Sequence, residues 1–173
     1  MTKQADLIFL GDSLTDFHNW ADFGKHHNAG IAGDTTDGLL YRLHYTLEKR
    51  PRTLVLMIGI NDLLQGQDVE TMKKNYQKIF EKIGTVDTVI ILSLLPVQMM
   101  AQTYTINEKV IVLNHFLKKE SKERGFVFGN LYSSMVDKNG GIRKELTSDG
   151  VHLTPKAYEV WEKALEHHLK NGL

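Results

Sequence analysis

Residues 9–16 read Phe-Leu-Gly-Asp-Ser-Leu-Thr-Asp, and the run Leu7 to Leu10 that leads into them is continuously apolar. A short apolar run that ends at a glycine is typical of a strand that is buried on both faces. Ser13 then stands just beyond the carboxyl end of this strand, at the edge where doubly wound folds place their chemistry. The stretch therefore predicts a parallel sheet with a reactive residue at the edge where the carboxyl ends of the strands lie.

The rest of the chain alternates short apolar runs with helical spacing. Three further runs predict strands, at residues 54–58, 89–92 and 126–128. Apolar residues that recur every three or four positions predict amphipathic helices, and they lie within 39–47, 69–83, 106–117 and 158–169, the last introduced by Thr154 and Pro155. Strands that alternate with helices predict an α/β fold, in which helices cover both faces of a mostly parallel sheet.

Length and composition limit the number of domains and the kind of partner. A chain of 173 residues with 42% hydrophobic content suits a single domain over residues 1–173. The 21 basic residues balance 21 acidic ones, so we expect a small-molecule partner and no nucleic acid. There are no cysteines, which fits a reducing compartment. The first twelve residues hold six apolar ones, too few for a membrane span, so a cytoplasmic location is expected.

Four polar segments lie where predicted strands end or where predicted helices begin. They read GDSLTD from residue 11, NAGIAGDTT from residue 28, GIND from residue 59 and DGVH from residue 149. Because the carboxyl ends of parallel strands open on the same side of a sheet, these segments are expected to converge. Together they hold a hydroxyl nucleophile, a histidine with an acid to orient it, and hydrogen-bond donors, which are the groups that acyl transfer needs.

The residue types in these segments suggest a role for each. Asp149 and His152 are three residues apart, so the carboxylate can accept a hydrogen bond from Nδ1 of the imidazole while Nε2 faces outward. Ser13 needs such a base to take its proton as it attacks. The candidate donors of an oxyanion hole are the backbone N–H groups of Ser13 and Gly33 and the side-chain amide of Asn61.

In this order, and over nearly the whole chain, the four segments resemble the four sequence blocks of the SGNH, or GDSL-type, esterase and lipase family. The resemblance implies a flavodoxin-like, three-layer α/β/α sandwich with about five parallel strands. It also implies that Ser13, Asp149 and His152 form a catalytic triad, and that Ser13, Gly33 and Asn61 form the oxyanion hole.

The predicted activity is hydrolysis of small carboxylic esters through an acyl-serine intermediate, with no metal or organic cofactor. No separate lid domain fits within 173 residues, so we expect an open site and short acyl groups, acetyl among them. Thioesters and O-acetylated carbohydrates are alternative substrates. A non-catalytic carbohydrate-binding module and a metal-dependent hydrolase are alternatives of other classes.

Each site residue also has a structural alternative. Ser13 could be the N-cap of a helix, and Gly33 could serve only a turn. GIND and DGVH could likewise be ordinary turns. For Asp12 we favour a supporting role, in which its carboxylate bonds local backbone N–H groups and holds the loop. Residues 34–37 are interpreted as caps of the helix that follows them.

Two further groups of residues lie outside these segments. Met99 and Met100 are in a loop that follows a predicted strand, where adaptable methionine side chains would suit an acyl chain or an alcohol group; the alternative is that this loop packs into the core. The histidines at positions 18, 26 and 27 match no recognised zinc spacing, and we interpret 26 and 27 as surface or pocket-rim residues.

Overall fold

In a computed structural model of the chain, which describes residues 6–98 and 103–171, five strands form one parallel sheet. They are β1 (Leu7–Gly11), β2 (His26–Gly30), β3 (Thr53–Met57), β4 (Thr88–Leu92) and β5 (Val127–Gly129). The strands lie in the order β2-β1-β3-β4-β5, and each neighbouring pair is parallel. This is the strand order of flavodoxin-like folds, so the predicted α/β class with five parallel strands is confirmed.

Helices cover both faces of the sheet. The described α-helices are α1 (Ser13–Asp16), α2 (Thr36–Leu47), α3 (Ile60–Leu64), α4 (Val69–Ile83), α5 (Thr103–Arg124), α6 (Tyr132–Met135) and α7 (Pro155–Asn171), and short 3₁₀ turns span Ala21–Phe23 and Lys144–Leu146. Alternate strand residues such as Ile8 and Leu10 pack with α2, α4 and α5, whereas Leu7 and Phe9 pack with α1, α6 and α7. The result is the predicted three-layer sandwich.

Strand β2 is the element that the apolar pattern did not predict. Its sequence is His-His-Asn-Ala-Gly, and all five residues are only half-buried. It lies at the edge of the sheet and pairs with β1 alone. A partly covered edge strand needs no continuous apolar run. The segment from residue 28 therefore begins inside a strand that the sequence did not predict, and it leaves this strand at Ile31.

The helix limits agree well with the apolar spacing. Helix α4 spans Val69–Ile83, as predicted, and α7 begins at Pro155. The hydroxyl of Thr154 accepts a hydrogen bond from the N–H of Ala157 at 3.4 Å, as expected of an N-cap. None of the helices within residues 6–98 and 103–171 combines the length and the apolarity that crossing a bilayer requires.

Candidate active site

Ser13 is the first residue of α1, two residues beyond the end of β1. A methyl group at Gly11 would overlap the carbonyl oxygen of Met57 and the hydroxyl of Thr15, so glycine is needed where the chain passes this close to the neighbouring strand. The N-cap of α1 is Asp12, not Ser13. The interpretation of Ser13 as a helix cap is therefore wrong, and its hydroxyl bonds elsewhere.

The Ser13 hydroxyl lies next to a histidine that is 139 residues away in sequence. Its Oγ is 3.2 Å from Nε2 of His152, and Nδ1 of His152 is 2.6 Å from Oδ2 of Asp149. An ionised carboxylate can only accept hydrogen bonds, so the proton of a neutral imidazole lies on Nδ1 and Nε2 turns its lone pair toward the serine. The three side chains form a continuous hydrogen-bonded row with the polarity that a serine nucleophile requires.

The loop that carries Asp149 holds its carboxylate in place. Oδ1 of Asp149 accepts hydrogen bonds from the N–H groups of Val151 and His152, at 2.9 and 2.7 Å. Partial burial raises the pKa of Asp149, but the hydrogen bonds from the His152 side chain and from these two backbone groups together lower it to about 2. The carboxylate is therefore ionised at neutral pH, where it can accept a hydrogen bond from Nδ1–H of the imidazole.

Gly33 lies in a tight turn that follows β2. The N–H of Asp34 donates to the carbonyl of Ile31 at 3.1 Å, and Gly33 has a φ of 82°, the conformation that favours glycine at the third position of a type II turn. The N–H of Ile31 donates to the carbonyl of Gly11 at 3.1 Å. This bond ties the turn to the end of β1, so the backbone of Gly33 lies at the same edge of the sheet as Ser13.

Asn61 lies in the first turn of α3, shortly after β3. Its Nδ2 donates a hydrogen bond to the carbonyl oxygen of Asp34 at 2.9 Å, which anchors the amide to the turn that contains Gly33. An amide nitrogen carries two hydrogens, so one donor is left after this bond. The three candidate oxyanion donors thus follow three adjacent strands, β2, β1 and β3.

Arg42 of α2 braces the turn that contains Gly33, a role that its sequence neighbours do not indicate. Its Nε donates to Oδ2 of Asp34 at 2.7 Å, its Nη1 to the carbonyl of Ala29 at 2.9 Å, and its Nη2 to the carbonyl of Gly11 at 3.0 Å. Asp34 was predicted to cap α2 and is instead the partner of this arginine. No local pattern links an acid in a turn with an arginine eight positions later, so only the fold reveals the pair.

A second buried network fixes the starts of α2 and α3. Thr35 is the N-cap of α2, and its hydroxyl accepts from the N–H of Gly38 at 3.2 Å. The N–H and hydroxyl of Thr36, also interpreted as a cap, donate to the Asp62 carboxylate at 2.9 and 2.6 Å, and Nδ2 of Asn75 donates to the Thr36 hydroxyl at 3.0 Å. Asp62 and Thr36 are buried. The network sets the position of α3 and therefore of the Asn61 amide, which directly precedes Asp62. In the sequence, the GIND segment is the feature that could have indicated this network.

Asp12, the predicted supporting residue, is buried beside the nucleophile with 1% of its surface exposed. Its Oδ1 accepts from the N–H of Leu14 at 2.9 Å, whereas its Oδ2 meets no donor in the part of the chain that the structure describes. Burial raises the pKa of Asp12 to about 7, although the bond from Leu14 opposes the rise and the nearby carboxylates of Asp34 and Asp62 add to it. The carboxyl group therefore holds a proton in mildly acidic solution.

We expect Asp12→Asn to flatten the pH dependence of stability. Between the ordinary pKa of 3.8 and the raised value of about 7, the folded carboxyl keeps a proton that the unfolded chain has released. The free energy of unfolding of the wild type should therefore fall as pH rises through this window, by up to about 1.4 kcal/mol per pH unit. Asparagine keeps the acceptor for Leu14 and does not titrate.

Denaturant titrations at several pH values across that window measure the effect, with substitution of the exposed Asp22 by asparagine as the control. The control should follow the wild type. Curves for wild type and Asp12→Asn that run parallel across the window would contradict the assignment of a raised pKa to Asp12.

The histidines at positions 18, 26 and 27 are not part of this hydrogen-bonded row. Met99 and Met100 are outside the described residues. His26 and His27 belong to β2, and Nε2 of His18 lies 2.7 Å from Oε1 of Glu162. Across residues 6–98 and 103–171, the histidine, aspartate and glutamate side chains form no group of three that could hold a metal ion.

Several relatives align with most of the chain, among them a bacterial and a mammalian protein. The N-acylneuraminate cytidylyltransferase of Streptococcus agalactiae serotype V is 25% identical over 158 residues, a match that covers 91% of this chain and 37% of the relative. This chain thus spans little more than a third of that protein. The platelet-activating factor acetylhydrolase IB subunit alpha2 of Rattus norvegicus is 28% identical over 169 residues, which covers 90% of this chain and 72% of the relative.

The fold and the sequence blocks agree with one family. A crystal structure of a GDSL-like lipase from Bacteroides thetaiotaomicron matches with a TM-score of 0.87 at 24% identity, over 98% of this chain and 89% of the other. The model of the GDSL-like lipase/acylhydrolase family matches residues 9–160, from β1 into α7. The chain belongs to the GDSL-like lipase/acylhydrolase family.

Proposed function

We propose that this protein is a serine esterase that hydrolyses small carboxylic esters through an acyl-serine intermediate. The observation that carries the proposal is the row of hydrogen bonds from Ser13 Oγ through His152 to Asp149. Membership of an acylhydrolase family supports the reaction class. The name of the rat relative, an acetylhydrolase, supports acetyl as the acyl group.

In the first half-reaction, Ser13 Oγ attacks the ester carbonyl carbon while Nε2 of His152 takes the hydroxyl proton. Asp149 stabilises the imidazolium that forms. The carbonyl oxygen becomes an oxyanion, and the backbone N–H groups of Ser13 and Gly33 and the Asn61 amide donate hydrogen bonds to it. The intermediate collapses when His152 gives its proton to the alcohol oxygen, the C–O bond breaks and the alcohol leaves.

In the second half-reaction, a water molecule takes the place of the alcohol. His152 removes a proton from this water as it attacks the acyl carbon, and the same donors hold the new oxyanion. Collapse of the second intermediate returns the proton from His152 to Ser13 Oγ and releases the carboxylic acid. Residues of this chain make every proton transfer in the cycle.

The exposure of the site supports a preference for short acyl groups. The side chains of His152 and Asp149 are 38% and 53% exposed, and the turn residues Ile31 to Gly33 are exposed as well. Long acyl chains gain affinity when they are removed from water, and an edge this open, in the part of the chain that the structure describes, would leave much of such a chain in contact with water. We therefore propose acetyl and similarly small acyl groups.

The balanced charge supports the proposed kind of partner, and the absence of cysteines supports the predicted location. The partner is a small-molecule ester rather than a nucleic acid, because no excess of basic residues would attract phosphate groups. The cytoplasmic location and the single domain over residues 1–173 remain predictions from composition and length.

Turnover of p-nitrophenyl esters with acetyl, butyryl, octanoyl and palmitoyl groups tests the proposal, combined with intact-mass analysis after fluorophosphonate treatment. We expect one covalent adduct and the highest kcat/KM for the short esters. Rates that climb steadily to the palmitoyl ester would overturn the acyl preference. Folded protein that gives neither adduct nor turnover would favour the binding module, and chelator-sensitive turnover without an adduct would favour a metal-dependent hydrolase.

Substitution of Asn61 by alanine is expected to lower kcat for p-nitrophenyl acetate by about 10²- to 10³-fold, since it removes one oxyanion donor. The KM should change little, because the donor acts on charge that develops in the transition state. Steady-state kinetics measure both constants. The control is Asn139→Ala, at an exposed asparagine in the 137–140 turn, and an unchanged kcat in Asn61→Ala would remove this amide from the oxyanion hole.

A further inference from the structure

An exposed aromatic ring lies against the imidazole of the proposed base. Phe17 directly follows α1, and its N–H donates to the carbonyl of Ser13 at 3.0 Å. The centre of its ring lies 5.5 Å from the centre of the His152 ring, with 31° between the two planes. The side chain is thus attached to the helix of the nucleophile and contacts the base at the same time.

Phe17 is unusually exposed for its type. All seven phenylalanines lie within the described residues, and Phe17 is the one among them that is exposed, with 60% of its surface open to solvent. The other large exposed aromatic side chains in this part of the chain are tyrosines, which carry a hydroxyl for water. A phenyl ring has no polar group to hydrate, so a bare ring beside the base is available for contact with a ligand.

The direction of proton transfer identifies which part of the ester would meet this ring. In the proposed mechanism His152 returns its proton to the alcohol oxygen, so that oxygen must come within about 3 Å of Nε2. The oxyanion, by contrast, faces Gly33 and Asn61. Because Phe17 contacts the imidazole itself, it borders the space that the alcohol portion occupies.

Building on the proposed esterase function, we propose that Phe17 is a specificity-determining residue that contacts the alcohol portion of the ester and favours ring-shaped alcohols with an apolar face. An aromatic face binds a second ring, or the C–H face of a saturated ring, and such contacts change affinity by about 3- to 10-fold. A small aliphatic alcohol offers too little surface to gain from them.

The test compares cyclohexyl acetate with ethyl acetate, two esters whose leaving alcohols have similar basicity. In Phe17→Ala, kcat/KM for cyclohexyl acetate should fall about 3- to 10-fold, whereas kcat/KM for ethyl acetate should stay near the wild-type value. Phe17→Trp, which restores an aromatic face, should recover the preference. Tyr41→Ala, which removes an aromatic ring that is 84% exposed on α2, serves as the control and should leave both values unchanged.

Two results would overturn the inference. An equal loss for both esters in Phe17→Ala, with a shifted pH profile, would mean that the ring only positions His152. Unchanged values for both esters would mean that it touches neither the base nor the alcohol in a way that matters for turnover. Failure of the esterase proposal is a separate outcome, because the wild type would then give no fluorophosphonate adduct, whichever ester is supplied.

Discussion

Ser13→Ala is expected to lower kcat for p-nitrophenyl acetate by about 10⁴- to 10⁶-fold and to abolish the fluorophosphonate adduct. The alanine variant has no oxygen that can attack the carbonyl carbon, so the acyl-enzyme cannot form. The oxyanion donors and the imidazole stay in place and account for whatever turnover is left. Intact-mass analysis and steady-state kinetics on the same preparation measure both effects.

The fold should tolerate this change. The substitution removes one hydroxyl and its 3.2 Å contact with His152, a loss of about 1 kcal/mol of stability, and alanine fits a helical position. Ser134→Ala, at an exposed serine on α6, should keep both the adduct and the turnover. Turnover of Ser13→Ala close to that of the wild type would place the chemistry at another residue.

The second large effect is expected for Asp149→Asn, which should lower kcat by about 10⁴-fold. Asparagine can still accept the backbone hydrogen bonds through Oδ1, but it presents an NH₂ group where the carboxylate had faced Nδ1 of His152. The imidazole would then carry its proton on Nε2, and Nε2 could no longer take the proton of Ser13.

Asp137→Asn is the matched control for that variant. Oδ1 of Asp137 also accepts two backbone N–H groups, those of Asn139 and Gly141, at 2.7 and 3.0 Å. The control therefore removes a carboxylate that holds a turn but that does not contact His152. Its kcat should match that of the wild type. A loss of less than about tenfold in Asp149→Asn would show that the backbone of the loop, not the carboxylate, orients His152.

Much of the fold could be predicted because buried strands and amphipathic helices leave a periodic record in the sequence. The apolar run of β1 and the spacing of α4 are clear examples. Strand β2 left no such record, since an edge strand that is half-buried does not need apolar residues at successive positions. Its polar sequence pairs with β1 through backbone groups alone, and those are common to all residues.

Part of the candidate site could likewise be predicted from the sequence, and part of it could not. The residue types in GDSLTD, GIND and DGVH already indicate a nucleophile, an amide donor and an oriented base, because each is a local arrangement within a few residues. The supports of the site are not local. Arg42 reaches Asp34 and the carbonyl ends of two strands, and Thr36 reaches Asp62, 26 residues away.

By itself, then, the sequence determined the layered α/β architecture and the identity of the chemical groups, since hydrophobic periodicity and short motifs are properties of neighbouring residues. Only the tertiary structure decided which of these groups meet. The contact of Ser13 with His152, the anchoring of Asn61 on the Gly33 turn and the placement of Phe17 against the imidazole all depend on the order and register of the strands. That order follows from the packing of the whole core, and no short stretch of sequence encodes it.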